Sequence, residues 1–270
     1  MRLFEGGWRR GAFAAVGLGL ALCRAEAVFA STFSVSPVQV NLSPGSPSAL
    51  LTVGNDSQET LRFQVSAFAW DQDTHGRIVL SPTRDVVFFP MMLTLAPGER
   101  RRIRVGSTAP IAAIEKTYRI FVEELPSAPG PADESAGTQI RVLTKLGIPV
   151  FVQPKEPKPE TTVEIQGVSG DRIHFVVRNT GNAHLLLQDL RIHGTGSAGA
   201  DVLDRTVQGW YLLAGRAWEF EQPLTAEECA GLTSLSIDAE TERGVSTARL
   251  ELPLPACDES SARTALLLPK

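Results

Sequence analysis

Gly194, Gly196 and Gly199 stand at the spacing of a loop that cradles a dinucleotide pyrophosphate. That chemistry needs a strand before the glycines and a helix after them, so that a helix N-terminus meets the phosphates. Ala200-Asp201-Val202 opens no clear helix, and a hairpin loop is the reading the residues favour. Of the four histidines, His75, His174, His184 and His193, none has another histidine or a cysteine at metal-ligand spacing. No serine sits in a nucleophile elbow. Asp56, Asp71 and Asp73 fall in polar turns, where aspartate bonds the local backbone; a calcium site is the alternative use. The sequence therefore points to no active site, no metal and no cofactor, and the protein is expected not to be an enzyme. Arg100-Arg101-Arg102 with Arg104 is a basic run, but alternation along a strand divides it between two faces. A solvated or edge strand is its ordinary reading, and an anionic partner the alternative. With a net charge of −4 the chain does not read as a general nucleic-acid binder.

Two cysteines beyond the N-terminal segment, Cys229 and Cys257, flank the last pair of expected strands, near Leu232 to Ala239 and Thr247 to Leu254. A turn at Glu242-Arg243-Gly244 lies midway between the cysteines, so folding about it brings them together. A disulfide at the base of that hairpin is expected, with two free thiols as the alternative. Export makes the disulfide reasonable. Arg2, Arg9 and Arg10 precede an apolar run over residues 11–22, which ends in small residues around Ala27 and Ala30. This is the layout of a secretory signal peptide, too short for a transmembrane helix. Cleavage after Ala27 or Ala30 is expected to leave a chain that is not inserted in a membrane.

The rest reads as β throughout. Apolar and polar residues alternate over Phe33 to Leu42, Ala49 to Val53, Leu61 to Trp70, Arg77 to Leu80, Arg101 to Val105, Tyr118 to Glu123 and Gln139 to Val152. The pattern returns over Thr162 to Val168, Arg172 to Val177, His184 to Ile192 and Gly209 to Leu213. Between the halves lies Pro154-Lys155-Glu156-Pro157-Lys158-Pro159-Glu160, a stiff and solvated connector. Two β-sandwich domains are expected, over residues 31–153 and 162–257, with a signal segment at 1–30, a linker at 154–161 and a loose tail at 258–270. The strand at 139–152 is long for a sandwich. Ile140, Val142, Thr144, Leu146, Ile148 and Val150 share one parity along it, enough to serve a partner as well as the core.

Several of these segments, in this order, resemble the periplasmic chaperones of the chaperone–usher pilus family. They are Phe33-Ser34-Val35-Ser36-Pro37 with Leu42-Ser43-Pro44-Gly45, and Phe89-Pro90 through Leu95-Ala96-Pro97-Gly98-Glu99 to Arg104-Val105. Glu115-Lys116-Thr117-Tyr118-Arg119 to Glu124-Leu125-Pro126, Ile148-Pro149-Val150-Phe151-Val152 before Pro154, and Asn179-Thr180-Gly181-Asn182 complete the set. The resemblance implies an all-β chain of two immunoglobulin-like sandwiches in a bent arrangement, working in the periplasm of a Gram-negative bacterium. It implies a partner too. A pilus subunit lacking its last strand would receive the chaperone's long strand by strand addition, and would then pass to an outer-membrane usher. Ile140, Val142, Thr144 and Leu146 would fill the subunit's apolar pockets. The family's usual cationic anchors for the subunit's terminal carboxylate are an arginine on the first strand and a lysine near the end of the long strand. Gln39 and Pro149 stand at those places and carry no charge. Arg119, on the strand expected beside the long one, is the substitute candidate, able to grip a carboxylate through two parallel hydrogen bonds. A secreted immunoglobulin-like adhesion or surface module is the alternative function.

Overall fold

Alternation with a period of two leaves a strand one apolar face, and two such faces must close on each other. The computed structural model, which describes residues 32–126 and 142–257, shows this closure twice. In the first sandwich the strands are β1 (Phe33–Ser36), β2 (Val40–Leu42), β3 (Ser48–Asn55), β4 (Leu61–Gln72) and β5 (Ile78–Pro82). They continue with β6 (Val86–Phe89), β7 (Met92–Leu95), β8 (Arg100–Ser107), β9 (Lys116–Leu125) and β10 (Lys145–Val152). One sheet has the order β1-β3-β8-β6; the other runs β2-β10-β9-β4-β5, with β7 also on β4. Between them Leu51, Val53, Phe63, Val65, Ile103, Val105, Ile120, Val122 and Val150 form a buried core.

The second sandwich has β11 (Thr161–Ser169), β12 (Arg172–Asn179), β13 (Leu185–Gly196), β14 (Asp201–Gln208) and β15 (Tyr211–Leu212). After them come β16 (Ala217–Pro223), β17 (Leu232–Thr241) and β18 (Gly244–Glu251). Its sheets are β11-β12-β16 and β14-β13-β17-β18, with β15 on β13. Phe175, Val177, Leu187, Ile192, Leu235 and Ile237 centre its core. The described residues cluster as one compact unit.

Three expectations need correction. Phe33 to Leu42 is not one strand. It breaks at Pro37, so β1 joins one sheet beside β3 and β2 joins the other beside β10. Proline offers the ladder no N–H, and the break lets the chain change sheets. The long strand begins at Lys145 rather than Gln139 within the described residues: Val142 and Thr144 precede it, and Ile140 lies outside them. The arginine run is solvated, but β8 is an interior strand between β3 and β6. Gly194 and Gly196 fall in β13 and Gly199 in the single 3₁₀ turn before β14, so the glycine triplet serves a hairpin.

Each sandwich repeats one buried device. Asn55 Nδ2 donates to the carbonyls of Glu59 (2.7 Å) and Leu95 (3.0 Å), while its Oδ1 accepts the Ser57 N–H at 3.0 Å. Asn179 Nδ2 donates to the carbonyls of Ala183 (2.8 Å) and Leu212 (3.0 Å), and its Oδ1 accepts the Gly181 N–H at 2.9 Å. Both side chains are fully buried. Each pins a turn to a strand beyond it.

A short helix, α1 (Ala226–Gly231), opens with a capping box between Thr225 and Glu228. Cys229 on this helix is disulfide-bonded to Cys257, 28 residues on, beyond the end of β18. Arg205 of β14 reaches Glu228 at 2.7 Å and steadies the same helix. Cys257→Ser should lower the stability of the second sandwich by about 2–5 kcal/mol, read as an earlier denaturant midpoint in the absence of reductant. The same midpoint in both proteins would deny the disulfide a stabilising role.

Candidate functional site

β10 is held unequally along its two edges. It pairs with β9 from Lys145 to Val152 but with β2 only from Val150 to Val152. Among the described residues, no strand covers the second edge from Lys145 to Pro149. The Glu124 N–H donates to the Thr144 carbonyl at 2.9 Å. By antiparallel alternation the even-numbered residues bond toward β9, and Lys145, Gly147 and Pro149 turn their backbone groups to the open side. Pro149 brings no N–H, which is tolerated where that N–H would face outward. Leu146 packs on the sandwich core with Ile148 and Val150, and Val142, before the strand, is 64 % exposed.

The expected neighbour of the long strand is in place. Arg119 of β9 stands directly opposite Pro149, and Val40, next to Gln39, stands opposite Val150. The structure therefore brings Arg119, Pro149 and Gln39 to one level of the sheet. Gln39 Oε1 accepts a hydrogen bond from the Tyr211 hydroxyl at 2.8 Å, and its Nε2 donates to Asn41 Oδ1 at 3.0 Å. Its side chain is thus engaged between the two sandwiches.

Arg119 is buried, at 7 % exposure. Its guanidinium lies over the Trp70 ring at 4.4 Å from the centroid, and 5.4 Å from that of Trp210. Desolvation lowers its pKa from the ordinary arginine value, yet an arginine so placed keeps its charge. No carboxylate among the described residues pairs with it, and its Nε has no hydrogen-bond partner. The buried Trp70 Nε1 is also without one. Burial is likewise the chief cause that raises the pKa of Tyr211, whose ring meets Trp70 edge-on at 5.8 Å. A desolvated cation with an unused donor, flanked by aromatic faces and next to an open backbone edge, suits a carboxylate at the end of an extended chain.

The tryptophans and Tyr211 were not singled out in the sequence. Trp70 continues the parity of Phe68 on β4, a visible pattern, but Trp210 and Tyr211 come from the other sandwich, and no local spacing links them to Arg119. The same holds for Glu115 and His184, which meet at 2.7 Å across the junction between the sandwiches. His184 stacks on Phe151 of β10 at 3.5 Å.

Residues 32–158 match the family described as pili and flagellar-assembly chaperone, PapD N-terminal domain. No curated protein matches the chain significantly. Among solved structures, the chain resembles the chaperone SafB of Salmonella enterica, solved with the pilin SafA, at 14 % identity and a TM-score of 0.55, over 84 % of this chain and 99 % of that one. It resembles CsuC of Acinetobacter baumannii, solved in a chaperone–tip adhesion subunit pre-assembly complex, at 17 % identity and a TM-score of 0.54, over 82 % and 98 %. A class 5 fimbriae chaperone, CfaA, matches at 16 % identity and a TM-score of 0.53, over 83 % and 100 %. At these identities the likeness is one of fold, and it spans both sandwiches. The first sandwich thus matches the family of pili and flagellar-assembly chaperones, and the two-sandwich fold is that of the structural neighbours.

Proposed function

We propose that this protein is exported to the periplasm, with its signal segment removed after Ala27 or Ala30, and there holds pilus subunits by lending them the open edge of β10. The observation that carries the reading is the half-covered strand: Lys145 to Pro149 offers unpaired backbone groups on one side, immediately above a stretch locked by β2. An added strand would take the hydrogen bonds of Lys145 and Gly147, and side chains of the donor parity, Ile140, Val142 and Thr144, would enter the subunit's groove, with Leu146 shared between that groove and this sandwich's core. Covering the groove would keep the subunit from edge-to-edge aggregation until an outer-membrane usher takes it over. Arg119 would receive the subunit's terminal carboxylate in place of the missing cations at Gln39 and Pro149. That neighbours in fold are described as complexes with a pilin or a tip adhesion subunit supports the choice of partner.

The test is co-expression with each candidate pilin of the source organism, followed by purification from the periplasm. A soluble one-to-one complex is expected, with the pilin degraded when this protein is absent. Val142→Asp, which sends a charge into the apolar groove, should weaken that complex at least about 100-fold, as the cost of an unpaired buried charge requires. Equal recovery of every pilin with and without the protein would overturn the reading in favour of a surface module.

A further inference from the structure

The hairpin formed by β4 and β5 leaves its own sandwich and docks on the second one. Gln72, the last residue of β4, is buried at 7 % exposure although its side chain is polar. Its Nε2 donates to the Tyr211 carbonyl at 2.7 Å and its Oε1 accepts the Leu213 N–H at 3.0 Å. A primary amide alone among the side chains of that length supplies one donor and one acceptor in this way. Beside it Asp71 pairs with Arg216 at 2.6 Å. At the hairpin tip the Thr74 carbonyl accepts the Glu219 N–H of β16 at 2.7 Å. Gly76, at φ +72°, lies so close to Trp218 that a Cβ on it would come within 2.5 Å of the indole. The other side of the junction is tied separately: the Glu115 N–H donates to the Asn182 carbonyl at 2.9 Å, and His184 meets Glu115.

The two residues that Gln72 brackets with its bonds lie on the stretch carrying the walls of the Arg119 site. Trp210, half-exposed, covers the guanidinium, and Tyr211 bonds Gln39. The geometry points to Gln72 and the hairpin tip as a latch that fixes the angle between the sandwiches and so positions Trp210 and Tyr211 beside Arg119. The second half of this inference rests on the reading of Arg119 as a carboxylate site; the first half does not. Gln72 is a positioning residue, since it acts on Arg119 through β15 and touches no ligand itself.

Two measurements on the free, disulfide-intact protein separate the halves. Residual dipolar couplings report whether the sandwiches share one orientation, and titration with sodium acetate, followed at the Arg119 Nε–H and the Trp70 indole N–H, reports the site. Gln72→Ala should leave the couplings within each sandwich unchanged, remove their common orientation, and weaken the acetate response about tenfold, the scale of the hydrogen bonds lost. Gly76→Ala should do the same by pushing against Trp218, while Gly98→Ala, with the same backbone strain at φ +74° and nothing within 4 Å of the added atom, should not. A shared orientation retained in both Gln72→Ala and Gly76→Ala overturns the latch. A lost orientation with an unchanged acetate response overturns the positioning role. If acetate leaves Arg119 of the unaltered protein undisturbed, the carboxylate reading of the site fails, and the couplings still decide the latch.

Discussion

Arg119→Ala is expected to lower the affinity for a pilus subunit with a free terminal carboxylate about 100-fold, while the same subunit ending in an amide loses little. Two charge-assisted hydrogen bonds in a desolvated pocket are worth about 1.5–3 kcal/mol each before the cost of ordering is counted. The guanidinium is already dehydrated and flanked by Trp70 and Trp210, so little of that gain is spent on stripping water during binding. The unbound protein bears the cost instead. A buried cation without a carboxylate, whose Nε has no partner, disfavours the folded state. Removing it should therefore leave the melting temperature unchanged or raise it. Weaker binding together with equal or greater stability is the signature of a ligand site; a fall in both would mark Arg119 as structural. Arg119→Lys should recover only part of the affinity, since an ammonium cannot form the two parallel bonds or stack on indole as guanidinium does.

The second large effect concerns the paired asparagines. Asn55→Ala and Asn179→Ala should each destabilise the sandwich that carries it by about 3 kcal/mol, because each change strands buried backbone groups that the amide had satisfied. In Asn55→Ala these include the Leu95 carbonyl, and in Asn179→Ala the Leu212 carbonyl. Thermal unfolding followed by probes in each sandwich should assign each loss to its own domain. Aspartate in place of asparagine keeps the acceptor for Ser57 or Gly181 but loses both donors, so it should be no milder than alanine. A loss under about 0.5 kcal/mol would mean that water or relaxation satisfies the freed groups.

Much of the fold could be read from the residues because a half-buried strand writes its period into the chain. Leu61 to Trp70 and Arg172 to Val177 needed no partner to be recognised, and the final hairpin, read from its strands and turn, brought the two cysteines together. The strands β6, β7, β14 and β16 were missed, along with α1. β6 and β7 are four residues each, too short for a period to emerge. The β14 and β16 segments mix charge with isolated apolar residues along exposed sheet edges. The break at Pro37 was legible but not used: the apolar parity slips there, from Phe33 and Val35 to Val38, Val40 and Leu42, as the chain changes sheets. For the candidate site, Arg119 was nominated through its expected place beside the long strand, the place that it occupies opposite Pro149. Its aromatic surroundings were not, since Trp70 and Trp210 are 140 positions apart in sequence and meet only when the sandwiches meet.

The unequal pairing of β10 also bears on force. The end that would be lent to a partner continues into Val150 to Val152, which is bonded to β2 on one side and β9 on the other, and Phe151 plants its ring between Trp70 and His184. A pull along an added strand would load the bonds of that lower stretch side by side, in shear, and not peel them one after another. The lent edge is mounted like a cantilever on a clamped root, so tension on the complex should part the partner from β10 before β10 leaves its own sandwich.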